Sequence, residues 1–309
     1  MTALLETHGL RTGYGRLPVV FNIDLEVREG EIVALLGANG AGKTTTLRAL
    51  SGLLPLMAGE VRLDGKPLAG TADKIARGGV VHVPQGRGIF PNLKVEETLR
   101  LACAMAKVPR AEVDGRVDDM YGVFRPLHAR RSQLAGTLSG GEQQMLAVAR
   151  GLIMRPKVLM IDEMSQGLAP KIVQGLFEIV RSLPAQGVAV LIVEQFVTHA
   201  LAVASRAYVL EKGEVAYSGD AAALARDEAF VKGSYLGDAG KGEVASNGSA
   251  ELPLGGDGEM GLPADLLRTI EARAEEEGRN PAEVVLELLR EAIESPAKQS
   301  RGNGKGGTP

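Results

Sequence analysis

Ile32-Val33-Ala34-Leu35-Leu36 runs straight into Gly37-Ala38-Asn39-Gly40-Ala41-Gly42-Lys43-Thr44, and Thr44 to Leu50 then reads as a helix. An apolar strand, a glycine-rich turn and a helix in that order leave few arrangements open. Strand and helix must pack back to back in an α/β layer. The glycines let backbone N–H groups turn toward phosphate oxygens with no Cβ in the way. The helix adds the positive end of its dipole at the same place. Lys43 should then reach the β- and γ-phosphates of a nucleotide, and the Thr44 hydroxyl should bind Mg²⁺. A tight strand-to-helix turn with no ligand is the alternative. The spacing of the glycines together with Lys43 and Thr44 weighs against it.

A second apolar run, Lys157-Val158-Leu159-Met160-Ile161, ends in Asp162-Glu163. Buried strands do not end in paired carboxylates by preference, because each must be solvated or paired. Beside a phosphate loop, Asp162 suits the Mg²⁺ shell and Glu163 suits a general base that polarises the attacking water. Ahead of that strand, Ser139-Gly140-Gly141 opens a helix running to about Ile153. Bare N–H groups at such an end attract anions, although an ordinary serine-capped helix would look the same.

The rest of the first three quarters alternates short strands with helical stretches. Ile32 to Leu36, Val80 to Val83, Val158 to Ile161 and Val188 to Val193 read as buried parallel strands. Val19 to Val27, Gly59 to Leu63, Ala207 to Leu210 and Glu214 to Tyr217 read as a more antiparallel layer. Between Val95 and Arg150 the pattern is mainly helical, an inserted helical subdomain spanning about 86–155. The one phosphate loop marks a single nucleotide domain. The chain of 309 residues carries a net charge of −3, against a dedicated nucleic-acid binder. Its one cysteine, Cys103, rules out an intrachain disulfide and reads as a buried small hydrophobe. Met1 to Leu10 does not read as a signal peptide, and no run approaches the roughly 18 apolar residues of a membrane helix.

With Leu138-Ser139-Gly140-Gly141-Glu142-Gln143-Gln144 the chain resembles the ABC-type ATPases. The resemblance covers Leu4 to Gly237. It implies an α/β P-loop domain with a parallel core sheet, an antiparallel β layer and an inserted helical subdomain. It implies ATP and Mg²⁺ as cofactors. It assigns nucleotide contacts to Tyr14, stacking on adenine, and to Gly37 through Thr45. Ser139, Gly140 and Gly141 are implied to cap the γ-phosphate held by the opposite subunit. Gln85, in Val83-Pro84-Gln85-Gly86-Arg87, is implied to sense Mg²⁺. Ser165-Gln166-Gly167-Leu168-Ala169-Pro170 is implied to cross the dimer interface. The alternatives for Tyr14 and Gln85 are an ordinary turn tyrosine and a loop glutamine.

Within the family the chain resembles the shorter ATPase subunit of branched-chain (hydrophobic) amino acid importers. Val193-Glu194-Gln195 and Ser234-Tyr235-Leu236-Gly237 carry this resemblance along with the motifs above. It implies a sister ATPase subunit, two membrane permease subunits, an external solute-binding protein reached indirectly, and a peripheral site on the cytoplasmic face of the plasma (inner) membrane. Importers of urea, short amides or other small polar solutes are the alternative; a non-transport ABC ATPase lacks support from tandem domains, coiled coils or basic extensions. Gln195 stands where most relatives carry a histidine on the γ-phosphate. It supplies one neutral hydrogen bond and no charge. His199, four residues on and about 6 Å along a helix, reads as an ordinary surface histidine. Met164 and Gln166 stand where proline and leucine are usual, and neither is expected to touch the chemistry directly. Phe90 and Leu93 are expected either to line a groove for a permease helix or to lie in the core.

Beyond Gly237 the texture changes. Residues 238–261 read as a flexible linker and 296–309 as a disordered tail. Between them, 262–295 reads as a helical hairpin. Leu266, Leu267, Ile270 and Ala274 form one apolar stripe, and Gly278 can end that helix. Asn280-Pro281-Ala282-Glu283 caps the next, whose stripe is Val284, Val285, Leu288, Leu289 and Ile293. The hairpin resembles the helices of ribbon-helix-helix proteins. Its nine acids and four arginines are the wrong sign for DNA, so helix pairing is carried over and nucleic-acid binding is not. Pairing with another copy, with a partner's tail or with the main domain is expected.

Overall fold

The computed structural model describes residues 3–86, 88–194, 196–227 and 230. These belong to one of two units into which the chain divides, Met1–Glu243. Arg87, Gln195 and the expected linker, hairpin and tail lie outside the described residues.

The chain opens with two long strands, β1 (Ala3–Tyr14) and β2 (Leu17–Arg28), followed by β3 (Ile32–Gly37), α1 (Lys43–Leu50), β4 (Leu56–Leu63) and β5 (Lys66–Pro67). Next come α2 (Ala72–Gly78) and β6 (Val80–Val83). A helical stretch follows: α3 (Val95–Met105), α4 (Val113–Val123), α5 (Arg125–Ala129) and α6 (Gly140–Ile153). The remainder alternates β7 (Val158–Asp162), α7 (Pro170–Ser182), β8 (Ala189–Val193), α8 (Val197–Val203), β9 (Arg206–Glu211), β10 (Glu214–Asp220) and α9 (Ala221–Ala225).

Two sheets organise these elements. The larger has six strands in the order β10-β9-β3-β8-β7-β6, and the smaller has four in the order β2-β1-β4-β5. From β9 to β6 every neighbouring pair is parallel. The near-continuous apolar character of these strands follows from burial on both faces. Val33 and Leu35 point into the core shared with β1, β2 and α1, as do Met160 and Leu191. Leu159, Ile161, Val190 and Ile192 point the other way, into the core built with α3, α6 and α7. Ala34 and Leu36 meet α8 and α9.

Two expectations are corrected here. Residues 207–210 and 214–217 do not join the antiparallel layer. β9 pairs in parallel with β3, and β10 is the antiparallel edge of the same large sheet. A hairpin pattern reveals that β9 and β10 pair with each other, but not which sheet they extend. That is settled by the buried side chains Ala207, Tyr208 and Leu210 finding places against β3. Sequence patterning also gave β1 no strand, yet it is the inner strand of the four-stranded sheet, between β2 and β4. Its register shifts around His8 to Gly13, where Gly9 has φ 60°, break the simple alternation that marks a strand.

The helical stretch has its own amphipathic logic. On α3, Val95, Leu99, Ala102 and Cys103 are buried at helical spacing. They pack with Phe124, Leu127, Met145 and Ala149 in one continuous core. Cys103 is fully buried, and burial pushes its thiol pKa up, so it stays protonated and inert. Among the described residues no helix is long and apolar enough to cross a membrane.

Leu191 is fully buried on β8 at the centre of the large sheet. Leu191→Ala is expected to cost about 2–5 kcal/mol. A thermal melt should show Tm falling by roughly 2–4 °C for each kcal/mol lost.

Candidate active site

Three strands of the parallel sheet end at one edge and deliver the predicted residues there. β3 leads through the glycine loop into α1. β6 ends two residues before Gln85. β7 ends with Asp162, followed at once by Glu163. Together they shape a cleft of about 330 Å³ lined by Asn39, Gly40, Lys43, Thr44, Gln85 and Glu163, with Gly42, Thr45, Val19 and Gln166 completing it.

The loop geometry explains its glycines. Gly37 has φ 145°, and a Cβ there would lie 2.4 Å from the Leu210 carbonyl oxygen. Gly42, just ahead of α1, has φ 104°. Side chains at either position would be strained or clash. The Lys43 ammonium donates to the carbonyls of Gly37 at 2.7 Å and Ala38 at 3.1 Å, so it folds back over its own loop. Thr45 is buried, and Thr46 is anchored to the Gly42 carbonyl at 2.9 Å.

Asp162 is fully buried, and neither of its carboxylate oxygens completes a hydrogen bond. Burial is the main reason its pKa is raised. The nearby Thr44 hydroxyl works against that shift without completing a bond, and the Glu163 charge adds to it. A buried carboxylate with unsatisfied oxygens beside a threonine hydroxyl suits a hard divalent cation, which takes oxygen ligands. Among the described residues no three of His, Cys, Asp and Glu cluster to hold a metal by themselves. A cation here would have the Thr44 hydroxyl beside Asp162 as a further oxygen donor.

Glu163 occupies the left-handed backbone region with φ 46°, held by its N–H donating to the Val193 carbonyl at 2.8 Å. A non-glycine residue in this conformation is strained, and such strain concentrates at functional sites. Its Oε2 accepts from Gln85 Nε2 at 2.7 Å. The same amide nitrogen donates to Gln166 Oε1 at 2.9 Å. This corrects the expectation that Gln166 stands apart from the chemistry. Met164 does stand apart: it is buried in the core on the helical side of the sheet.

Sequence reasoning also missed Glu194. It is buried one residue beyond β8, and its carboxylate accepts from the Ser165 N–H at 3.1 Å and the Ser165 hydroxyl at 2.5 Å. The signal was a carboxylate at the end of an apolar strand, the same one that marked Asp162. His199 is exposed and rests against the rings of Phe177 and Phe196, at 5.5 and 6.1 Å between centroids.

Ser139, Gly140 and Gly141 are not among the residues lining the cleft. Ser139 caps α6 in a reciprocal box. The Ser139 N–H and hydroxyl donate to Glu142 Oε2 at 2.9 and 2.7 Å, and the Glu142 N–H returns to Ser139 Oγ at 3.4 Å. Burial pushes the Glu142 carboxyl up, but the Ser139 donors and the Arg130 guanidinium outweigh it and hold it below its usual value. A Cβ on Gly141 would lie 2.4 Å from Ile172 Cγ2, so α6 and α7 approach closely there. Tyr14 also lies outside the cleft's lining. It is 45% exposed at the end of β1, and its hydroxyl accepts from Arg48 at 2.9 Å.

A second, more apolar groove of about 390 Å³ runs between α2, β6, α3 and α6, lined among others by Leu53, His82, Phe90, Met105 and Arg150. Phe90 is 47% exposed there, whereas Leu93 is half-buried and outside the groove's lining. Arg150 donates to the Gly88 carbonyl. Burial, with help from the Arg48 charge, pushes the His82 pKa down to about 4, so its ring is neutral at physiological pH.

Known proteins match this architecture. The family model described as ABC transporter matches residues 20–166. The solved structure of an ATP binding subunit of an ABC transporter superposes with a TM-score of 0.66 at 28% identity, over 75% of this chain and 98% of that one. BraG, the high-affinity branched-chain amino acid transport ATP-binding protein of Pseudomonas aeruginosa, is 42% identical over 235 residues, 76% of this chain and 100% of BraG. LivF of Archaeoglobus fulgidus, a probable branched-chain amino acid transport ATP-binding protein, is 37% identical over 74% of this chain and 97% of its own length. The chain belongs to the ATP-binding subunits of ABC transporters, ATPases whose hydrolysis is coupled to transport.

Asp162 carries a pH-dependent cost. Its folded pKa lies above the unfolded value, so the burden is present at neutral pH and is relieved as pH falls through the folded pKa. Asp162→Asn is therefore expected to raise Tm in nucleotide- and metal-free buffer, by roughly 2–4 °C for each kcal/mol relieved. Repeating the melt at acidic pH should shrink the gap between variant and parent.

Proposed function

We propose that this chain powers an importer of branched-chain or other hydrophobic amino acids, as one half of a head-to-tail pair of ATPase subunits. The observation that carries the catalytic part is the convergence of Lys43, Thr44, Gln85 and Glu163 on one cleft, with Asp162 buried beside Thr44. The cargo reading is supported by the similarity to BraG and LivF.

In this reading the loop from Gly37 to Thr45 wraps the phosphates with its N–H groups. Lys43 exchanges its two carbonyl partners for β- and γ-phosphate oxygens. Thr44, Asp162 and Gln85 would hold Mg²⁺, which would supply charge neutralisation at the phosphates. Glu163 takes the proton from the attacking water. Tyr14 stacks on adenine. Gln195, which lies outside the described residues, contributes one neutral hydrogen bond toward the γ-phosphate. Ser139, Gly140 and Gly141 do not line the cleft of their own subunit. That supports their serving the nucleotide of a partner, with the α6 N-terminus as an anion-binding end. Binding closes the pair and hydrolysis reopens it.

The groove flanked by exposed Leu53, Phe90 and Met105 suits an amphipathic cytoplasmic helix from one of two permease chains. The subunit then sits peripherally on the cytoplasmic face of the membrane, fed indirectly by an external solute-binding protein. The segment 262–295 serves pairing with another copy or a partner's tail, which its two apolar stripes support.

Lys43→Ala is expected to weaken ATP binding at least tenfold, read by a fluorescent-nucleotide titration. Glu163→Gln should keep that affinity, lose roughly 100-fold or more in turnover, and run as a dimer with ATP on size exclusion. Parent-rate hydrolysis by Glu163→Gln would remove Glu163 from the role of base. With the permease chains reconstituted in vesicles, labelled leucine should be imported and labelled urea should not. Truncation after Gly237 is expected to leave ATP binding intact and reduce self-association, measured by light scattering.

A further inference from the structure

Gln85 uses both N–H bonds of its amide in one place. One goes to Glu163 Oε2 at 2.7 Å and the other to Gln166 Oε1 at 2.9 Å. A primary amide has two donors on nitrogen and acceptor sites on oxygen. With both donors committed, the Gln85 oxygen is turned away from Glu163 and Gln166. An inverted amide would bring that oxygen against a carboxylate and a carbonyl oxygen, three acceptors with no hydrogen between them. The two acceptors thus select one face of the amide.

They are not equivalent. In the proposed reaction Glu163 must turn to water, and its hold on Gln85 then weakens. Gln166 takes no part in proton transfer, so its carbonyl can keep the orientation throughout. The loop that carries its exposed side chain is anchored. The neighbouring Ser165 donates through both N–H and hydroxyl to buried Glu194, which fixes the loop from which Gln166 reaches out. Leucine, of similar size, would offer no acceptor at all.

We propose that Gln166 is a positioning residue that sets the amide of Gln85 so that its oxygen, and not its nitrogen, faces the divalent cation. This rests on the reading of Gln85 as a cation-facing residue. Its consequence is a tighter cation requirement, with no change in how the nucleotide itself is held.

The test uses the full chain, a non-hydrolysable ATP analogue and Mn²⁺ as the spin probe, with bound metal read by electron paramagnetic resonance. Gln166→Leu is expected to raise the half-saturating Mn²⁺ concentration roughly three- to tenfold, the worth of about one hydrogen bond, with metal-free analogue affinity unchanged. Gln166→Glu, which keeps an acceptor, should restore the parent value. In a Gln85→Ala background, Gln166→Leu should add nothing. A parent-like titration for Gln166→Leu beside a weakened Gln85→Ala overturns the proposal and leaves the reading of Gln85 standing. A parent-like titration for Gln85→Ala overturns both. Failure of Gln166→Glu to restore the value, or a further loss in the Gln85→Ala background, shows a role for Gln166 other than orienting that amide and also overturns the proposal.

Discussion

A carboxylate held out of water with neither oxygen bonded is the constraint around which this site is built. Asp162 stands in that state at the end of β7, whose other four residues are apolar and fully buried. Isolated, such a group is expensive. The sheet tolerates it because β3 and its glycine loop bring Lys43 and Thr44 alongside.

Around that carboxylate the loops are tied to one another. Gln85 reaches Glu163 and Gln166, Ser165 reaches Glu194, and the Glu163 N–H reaches the Val193 carbonyl. Arg150, on α6, donates to Gly88, three residues beyond Gln85. α6 begins at Ser139, the end proposed to meet a partner's nucleotide. A side chain near the C-terminal end of that helix thus grips the segment that carries Gln85. One rigid helix links the cleft's glutamine segment, the apolar groove and the end that faces outward.

The sequence alone determined the class of the fold and marked most of the residues that meet at the cleft. The glycine loop with Lys43 and Thr44, and the acidic pair closing an apolar strand, were legible because short-range spacing dictates where their atoms can go. The buried parallel strands were legible because two covered faces demand unbroken apolar runs. Gln195 and the segment beyond Gly237 fall outside the described residues, so for them only the sequence speaks.

Tertiary structure decided what depends on distant partners. β9 extends the large sheet and not the antiparallel layer, a choice made by pairing with β3 across more than 160 residues of chain. β1 became an inner strand despite register shifts that hide its pattern. Gln166 looked remote from the chemistry until Gln85, 81 residues earlier, was brought within 2.9 Å. Residue types and local spacing fix what a group can do. Which acceptor meets which donor is fixed only when the ends of separate strands converge, because a hydrogen bond acts over about 3 Å and carries no trace in the order of the chain.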